Sequence, residues 1–353
     1  KLDSKNISVV EMLPHCLFTV FDADLCIRAE EQVAKKGVQV LAARRANAIK
    51  GNGRVEYVEL DDGQRLKADA VILGIGVRPN VDLAREAGLA LGPTGGVVVD
   101  RHMVASDPNI FAAGDCAEKV CFFTGKPSRA WLASVATAEA RIAAANLFEM
   151  RRASKGSISV FSTKIGDLAC GLAGIGEKTA QEAGIAYVVG EAEAPDRHPG
   201  GLPGAKPTKV KLIFRKYSET LIGGEACGGD SVGAEINLLA TMIQAEMTAD
   251  QIATFQMGTH PLLTASPVAY QAVNAAEMAL KKMRYQRVDR GGLDPALVGQ
   301  AARGLVFSLR ARSGSASCCV CTAPASHRSA RPAAGRSPLP AACPPHRLPQ
   351  PEP

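Results

Sequence analysis

No run of about 18 apolar residues occurs in the 353-residue sequence, so no membrane-spanning helix is expected. The opening residues, Lys1-Leu2-Asp3-Ser4, do not read as a secretory signal. The ten cysteines lack a regular framework. Cys16, Cys26, Cys116, Cys121, Cys170 and Cys227 stand singly, and Cys318, Cys319 and Cys321 cluster near the end. Such scatter fits a reducing cytoplasm better than a disulfide scaffold. No Cys-x-x-Cys pair occurs before Tyr285, and no metal site is expected. The formal net charge is +6, but no block of one sign runs through the body of the chain. A nucleic-acid partner is therefore not expected. No Gly-x-Gly-x-x-Gly loop precedes Glu11. Lysine is missing altogether after Tyr285.

What is present can build cores. Hydrophobic residues make up 46% and charged residues 22%, and the length suits two or three domains. Ile7 to Glu11 reads as a short buried strand that ends in an acid. A helix is predicted over about Ala23 to Lys36, stopped by Gly37, with a strand at Val38 to Leu41. Val55 to Leu60 alternates, and Asp62-Gly63 signals a hairpin. Ala70-Val71-Ile72-Leu73 is a continuous apolar run closed by Gly74-Ile75-Gly76, the pattern of a strand buried on both faces. This order resembles the later part of a doubly wound nucleotide-binding domain.

A second small unit follows. Ile110 to Ala113 is expected to be a strand leading into Gly114-Asp115, and an alanine-rich helix to span about Leu132 to Met150. Composition shifts near Arg151 to Gly156. Beyond that point strands are predicted at Ile158 to Ser162 and Tyr187 to Ala192. A Gly/Pro-rich loop is predicted over Arg197 to Pro207, then a hairpin of Thr208 to Arg215 with Thr220 to Ala226. Helices are expected near Gly233 to Glu246, Thr248 to Phe255 and Val268 to Met283. After Tyr285 arginine, alanine, proline, serine, glycine and cysteine dominate, and no apolar period is sustained. Disorder is expected there. The residues share GC-rich codons, as a reading-frame shift in a GC-rich gene would produce. A natural disordered tail is the alternative.

Three stretches carry a family resemblance: Ala68-Asp69-Ala70-Val71-Ile72-Leu73-Gly74-Ile75-Gly76-Val77-Arg78-Pro79-Asn80, then Ser106-Asp107-Pro108-Asn109-Ile110-Phe111-Ala112-Ala113-Gly114-Asp115, and the region from Ser157 to Glu277. In this order they resemble the FAD-dependent pyridine nucleotide-disulfide oxidoreductases. The single-cysteine branch is the nearest match: coenzyme A-disulfide reductases, NADH oxidases and NADH peroxidases. The resemblance spans about Ile7 to Lys282. It implies an α/β fold: partial doubly wound FAD- and NAD(P)-binding domains followed by an α+β dimerisation domain. The implied division is residues 1–78 for the later part of the NAD(P) domain and 79–152 for the later part of the FAD domain. Residues 156–284 would be the dimerisation domain and 285–353 a tail.

The resemblance also implies site residues. Glu11, at a strand end, would accept hydrogen bonds from the adenosine ribose hydroxyls and disfavour a 2′-phosphate, so NADH over NADPH. An ordinary exposed acid is the competing reading. Gly74 and Gly76 would let backbone and cofactor approach closely, or simply make a turn. Asp115, after Gly114, would hydrogen-bond the ribityl chain of FAD, with the following helix N-terminus facing the phosphates. A plain helix cap is the alternative. Cys116 beside it is expected to be structural, since the family's redox cysteine lies near the N-terminus. Ser134 and Thr137 begin the helix that should lie near the flavin. His260, in Thr259-His260-Pro261, resembles an element placed at the partner subunit's flavin, where it could move a proton. The glutamate that orients it in two-cysteine relatives is not apparent. Phe161 to Lys164 and Asp196 to Gly201 are weaker candidates for contacts at the site.

The expected parent activity is hydride transfer from NADH through FAD to a disulfide, persulfide, peroxide or oxygen, in a cytoplasmic homodimer. Without a phosphate loop before Glu11 the chain itself is expected to bind FAD and NAD(P)H poorly and to be inactive. The alternative is a non-catalytic remnant that retains only dimerisation.

Overall fold

A computed structural model describes residues 5–291, with side chains described through Tyr285. Strands β1 (Ile7–Glu11) and β2 (Val38–Ala42) pair in parallel, with helix α1 (Ala23–Lys35) as the crossover. A parallel pair requires a connection of this kind. Helix α1 buries Leu25, Cys26 and Ala29 on one stripe. All three elements lie where the apolar pattern predicts them.

An antiparallel sheet of β3 (Ala46–Lys50), β4 (Tyr57–Leu60) and β5 (Arg65–Lys67) follows. Asp62-Gly63 makes the β4–β5 turn, and Gly63 sits at φ +82°, a conformation that side chains disfavour. Strand β3 has no clear alternation and is recruited by its pairing with β4.

The run Ala70 to Leu73 corrects the expectation of a doubly buried strand. It is extended chain without strand pairing, and Ile72 is 96% and Ile75 87% exposed. A strand needs a neighbour for its N–H and C=O groups, and no described strand lies beside this one. The expected strand at Ile110 to Ala113 is likewise reduced to a single bridge, Phe111 to Val104.

Helix α2 (Asp82–Glu86), a β6–β7 hairpin (Lys119–Val120, Pro127–Ser128) and helix α3 (Ala133–Asn146) complete this half. Helix α3 stops short of the expected Met150. The Asn146 carboxamide folds back, accepting from Arg151 N and Arg152 N and donating to His102 O and Arg152 O.

The last region is a five-stranded antiparallel sheet in the order β10-β11-β12-β9-β8. Its strands are β8 (Val160–Ile165), β9 (Leu168–Gly174), β10 (Tyr187–Pro195), β11 (Pro207–Arg215) and β12 (Leu221–Gly228). Helix α4 (Glu177–Glu182) joins β9 to β10, while α5 (Val232–Gln244), α6 (Ala249–Ala253) and α7 (Gln271–Gly291) follow β12. Helices α5 and α7 cover one face. Val210, Leu212 and Phe214 alternate along β11 into that core with Leu239, Ile243, Ala275 and Ala279. Each large apolar side chain buried there contributes roughly 1.5–3 kcal/mol. The intervening residues Lys209 and Lys211 point to the other face, where α1 docks. Helix α7 continues to Gly291, so the sharp change expected after Tyr285 does not end it. The remainder of the expected tail lies outside the described residues.

Candidate functional site

The Gly114-Asp115 turn is the best-built of the predicted positions. Gly114 at φ +79° opens a short 3-10 turn through Cys116. Beneath it lies a buried ion pair. Lys119 Nζ donates to Glu139 Oε2 at 2.6 Å, with side-chain exposures of 0% and 8%. The same oxygen accepts from Gly114 N at 2.9 Å, and Lys119 Nζ also donates to Gly114 O and Ala117 O. The turn is thus tied from both sides to the second turn of α3, and Asp115 is left exposed above it. Cys116 donates its thiol to Ala113 O at 3.4 Å.

The start of α3 is open. Leu132 occupies its N-cap and offers no side-chain acceptor, so the first-turn N–H groups have no side-chain cap. Ser134 and Thr137 are exposed on this first stretch, and Thr137 Oγ1 donates back to Ala133 O. Just upstream, the buried Trp131 Nε1 and Ser128 Oγ have no hydrogen-bond partner. Ser134, Ala138 and Ile142 face Asn237, Thr241 and Gln244 of α5 across a cavity of about 620 Å³. An exposed carboxylate, free helix N–H groups and unpartnered donors suit a ligand that carries both hydroxyls and phosphates. The residues present therefore fit FAD.

The other predicted residues are placed apart from this turn. Glu11 ends β1 as expected, and one carboxylate oxygen accepts from Leu13 N at 2.8 Å, shaping the exit of the strand. Gly74 and Gly76 lie in the exposed extended segment, with open space where a Cβ would stand. His260 is exposed in the loop after α6, and its Nδ1 accepts from Leu262 N at 3.2 Å. Two stretches singled out separately in the sequence meet here, because His198 N donates to Pro261 O. Asp196 closes the intervening loop by accepting from Lys206 N and Ser231 Oγ. Phe161 packs on Phe21, ring centroids 5.2 Å apart, and Lys164 pairs with Asp230 at the surface.

Sequence reasoning missed Lys119 and Glu139, whose pairing spans 20 residues and follows no local period. It also missed the polar seam between α1 and the five-stranded sheet. There the buried Lys211 ammonium is surrounded by Glu225 (3.2 Å), Asp24 (2.9 Å), Asp22 (3.1 Å) and Glu177 (3.5 Å). Burial opposes its charge, yet the carboxylates outweigh burial and raise its pKa above the usual lysine value. Burial pushes Glu225 up to about 7, against the pull of Lys211.

Residues 1–140 match the family described as pyridine nucleotide-disulphide oxidoreductase, and residues 160–270 match the dimerisation domain of the same family. Together the two matches cover more than half of the chain. The chain belongs to the pyridine nucleotide-disulphide oxidoreductases. An NADH oxidase of Methanocaldococcus jannaschii is 31% identical over 79% of this chain and 61% of its own length. A CoA-dependent NAD(P)H sulfur oxidoreductase of Pyrococcus furiosus is 29% identical over 70% of this chain and 55% of its own. Among solved structures, an NAD-dependent persulfide reductase from A. fulgidus superposes with a TM-score of 0.74 at 33% identity, covering 78% of this chain and 51% of that one. The chain thus spans little more than half the length of these oxidoreductase relatives. Among the described residues no helix is long and apolar enough to cross a membrane.

Proposed function

We propose that this oxidoreductase chain supplies the later parts of the NAD(P)- and FAD-binding domains, divided near residue 78 and ending near residue 152, together with the dimerisation domain of a homodimeric FAD-dependent NAD(P)H oxidoreductase. The activity is of the single-cysteine type, in which reducing equivalents from NADH pass to a disulfide, persulfide, peroxide or oxygen. The observation that carries the reading is the Gly114-Asp115 turn, fixed by Lys119 and Glu139 beside the uncapped start of α3. FAD, when bound, supplies the hydride-accepting chemistry.

The chain's own residues bind and orient. Asp115 accepts from the ribityl hydroxyls, and the N–H groups of the first turn of α3, near Ser134 and Thr137, donate to the cofactor's anionic part. Glu11 accepts from the adenosine ribose of NADH. The backbone at Gly74 and Gly76 leaves room for close approach. His260, on the partner subunit's side of a dimer, moves a proton to or from the sulfur or oxygen acceptor.

By itself the chain is inactive and retains dimerisation, a reading supported by its span of little more than half the length of its oxidoreductase relatives and by the self-contained core around β11, α5 and α7. Two assays test this. The purified chain, incubated with excess FAD and desalted, should be colourless yet dimeric by light scattering. Joined to the N-terminal half of the A. fulgidus persulfide reductase, it should turn yellow and oxidise NADH. Retained flavin in the first assay would overturn the inactivity. A chimera that folds but binds no flavin would overturn the cofactor site.

A further inference from the structure

Strands β9 and β12 are antiparallel neighbours, and Cys170 stands directly opposite Cys227 in their register. The two sulfurs are 3.0 Å apart, both residues are at most 1% exposed, and both are free thiols. They lie on the sheet face that receives α1, walled by Phe21, Leu25, Cys26 and Leu172. Nothing in the flavin-site reading uses them.

Directly opposed residues in an antiparallel pair have Cα separations of about 4.5–5.5 Å, inside the range of about 4.4–6.8 Å that a disulfide spans. The backbone is therefore already placed for a bond, and closing it needs only a small rotation of the side chains. The two thiols are also electronically unequal. The hydrogen bond from Cys170, with Arg28 nearby, pulls the Cys227 thiol below its ordinary pKa against the opposing effect of burial. The same pairing and burial push Cys170 up. The third thiol of the cluster, Cys26, donates to Phe21 O and is pushed up to about 12 by burial and the nearby acids. The cluster thus holds one nucleophilic sulfur, one resolving sulfur and one bystander.

We propose that Cys170 and Cys227 form a redox-active dithiol site that hydrogen peroxide closes to a cross-strand disulfide beneath α1. The Cys227 thiolate attacks one peroxide oxygen, the O–O bond breaks, and the other oxygen leaves as hydroxide that takes up a proton to become water. The sulfur is then a sulfenic acid. The Cys170 sulfur displaces that hydroxyl, which leaves as a second water carrying the Cys170 proton. Two thiols are oxidised by two electrons and one peroxide is reduced to two waters. Because α1 covers both sulfurs, the rate is set by separation of α1 from the sheet, and so by the seam of Lys211, Asp22, Asp24 and Glu225. The site does not depend on bound flavin.

The test uses the full chain, treated with hydrogen peroxide both without denaturant and in sub-denaturing urea, alkylated, digested without reduction and read by mass spectrometry. The expected product is a Cys170–Cys227 linked peptide pair that dithiothreitol separates and that forms faster in urea. Cys26→Ser should leave the link intact, and Cys227→Ser should abolish it and leave Cys170 open to alkylation. Absence of the link under both conditions, links distributed at random among other cysteines, or loss of the link in Cys26→Ser would each overturn the proposal.

Discussion

Lys119 Nζ and Glu139 Oε2 meet at 2.6 Å with both side chains out of solvent, and the oxygen they share also holds the amide of Gly114. One ion pair therefore sets the conformation of the Asp115 turn. Removing one partner leaves an uncompensated buried charge, which costs about 3–5 kcal/mol. Lys119→Met should lower the urea midpoint by a corresponding amount. The double variant Lys119→Met/Glu139→Leu should recover part of it, because no charge is then stranded. Equal loss in the single and double variants would contradict this account.

Asp115 projects from that turn into solvent and holds nothing else in place. In the flavin-binding chimera, Asp115→Ala should weaken flavin retention about tenfold or more, since a hydrogen bond to a charged group contributes about 1.5–3 kcal/mol. The melting temperature without flavin should not change. Fluorescence titration with FAD measures the first quantity and thermal melting the second.

His260 is exposed and makes only local hydrogen bonds within its loop. His260→Ala should leave stability within about 0.5 kcal/mol. In the chimera it should slow acceptor-dependent NADH oxidation by about a hundredfold if the imidazole is the proton carrier. Unchanged turnover under saturating acceptor would remove His260 from the chemistry.

Glu235, on the α5 face toward Tyr270, has a buried Oε1 with no partner, and burial pushes its pKa from 4.5 up to about 7. The folded state therefore holds a proton that the unfolded state releases between those values. Stability contributed by the neutral form is complete below pH 4.5 and falls as pH rises to about 7, a loss on the order of 3 kcal/mol. Glu235→Gln should flatten that slope and be the more stable protein at pH 8. Denaturation measured at pH 5 and pH 8 decides it, and an unaltered slope in the variant would count against Glu235.

Ile72, Leu73, Ile75 and Val77 form an exposed apolar strip. Such a strip binds hydrophobic dyes and promotes association. Ile72→Ser with Ile75→Ser should lower anilinonaphthalene sulfonate fluorescence and light scattering while leaving the melting temperature unchanged, because neither side chain is packed.

Much of the architecture was legible in the chain. The β1–α1–β2 unit followed from apolar spacing and Gly37, and the β4–β5 hairpin from Asp62-Gly63. The β11–β12 hairpin and the helices after it followed from alternation giving way to a helical period. Strand β9 was not legible, because Leu168-Ala169-Cys170-Gly171-Leu172-Ala173-Gly174 is made largely of small residues and becomes a strand through neighbours on both sides. The apolar run at 70–73 was read as a buried strand for the opposite reason: its composition suits burial, but pairing depends on other strands.

At the candidate site the sequence marked Gly114 and Asp115, Ser134 and Thr137, and the structure brings them to one turn and one helix end. Apolar period, turn residues and helix stops act over a few neighbours, so the sequence by itself determined the order of elements and the family to which they belong. Only the tertiary structure decided which charges are buried against each other, Lys119 with Glu139 and Lys211 with four carboxylates. Only it decided that Cys170 faces Cys227. Those pairings join residues 20 to nearly 190 positions apart, and their energies arise from burial, which no local pattern encodes.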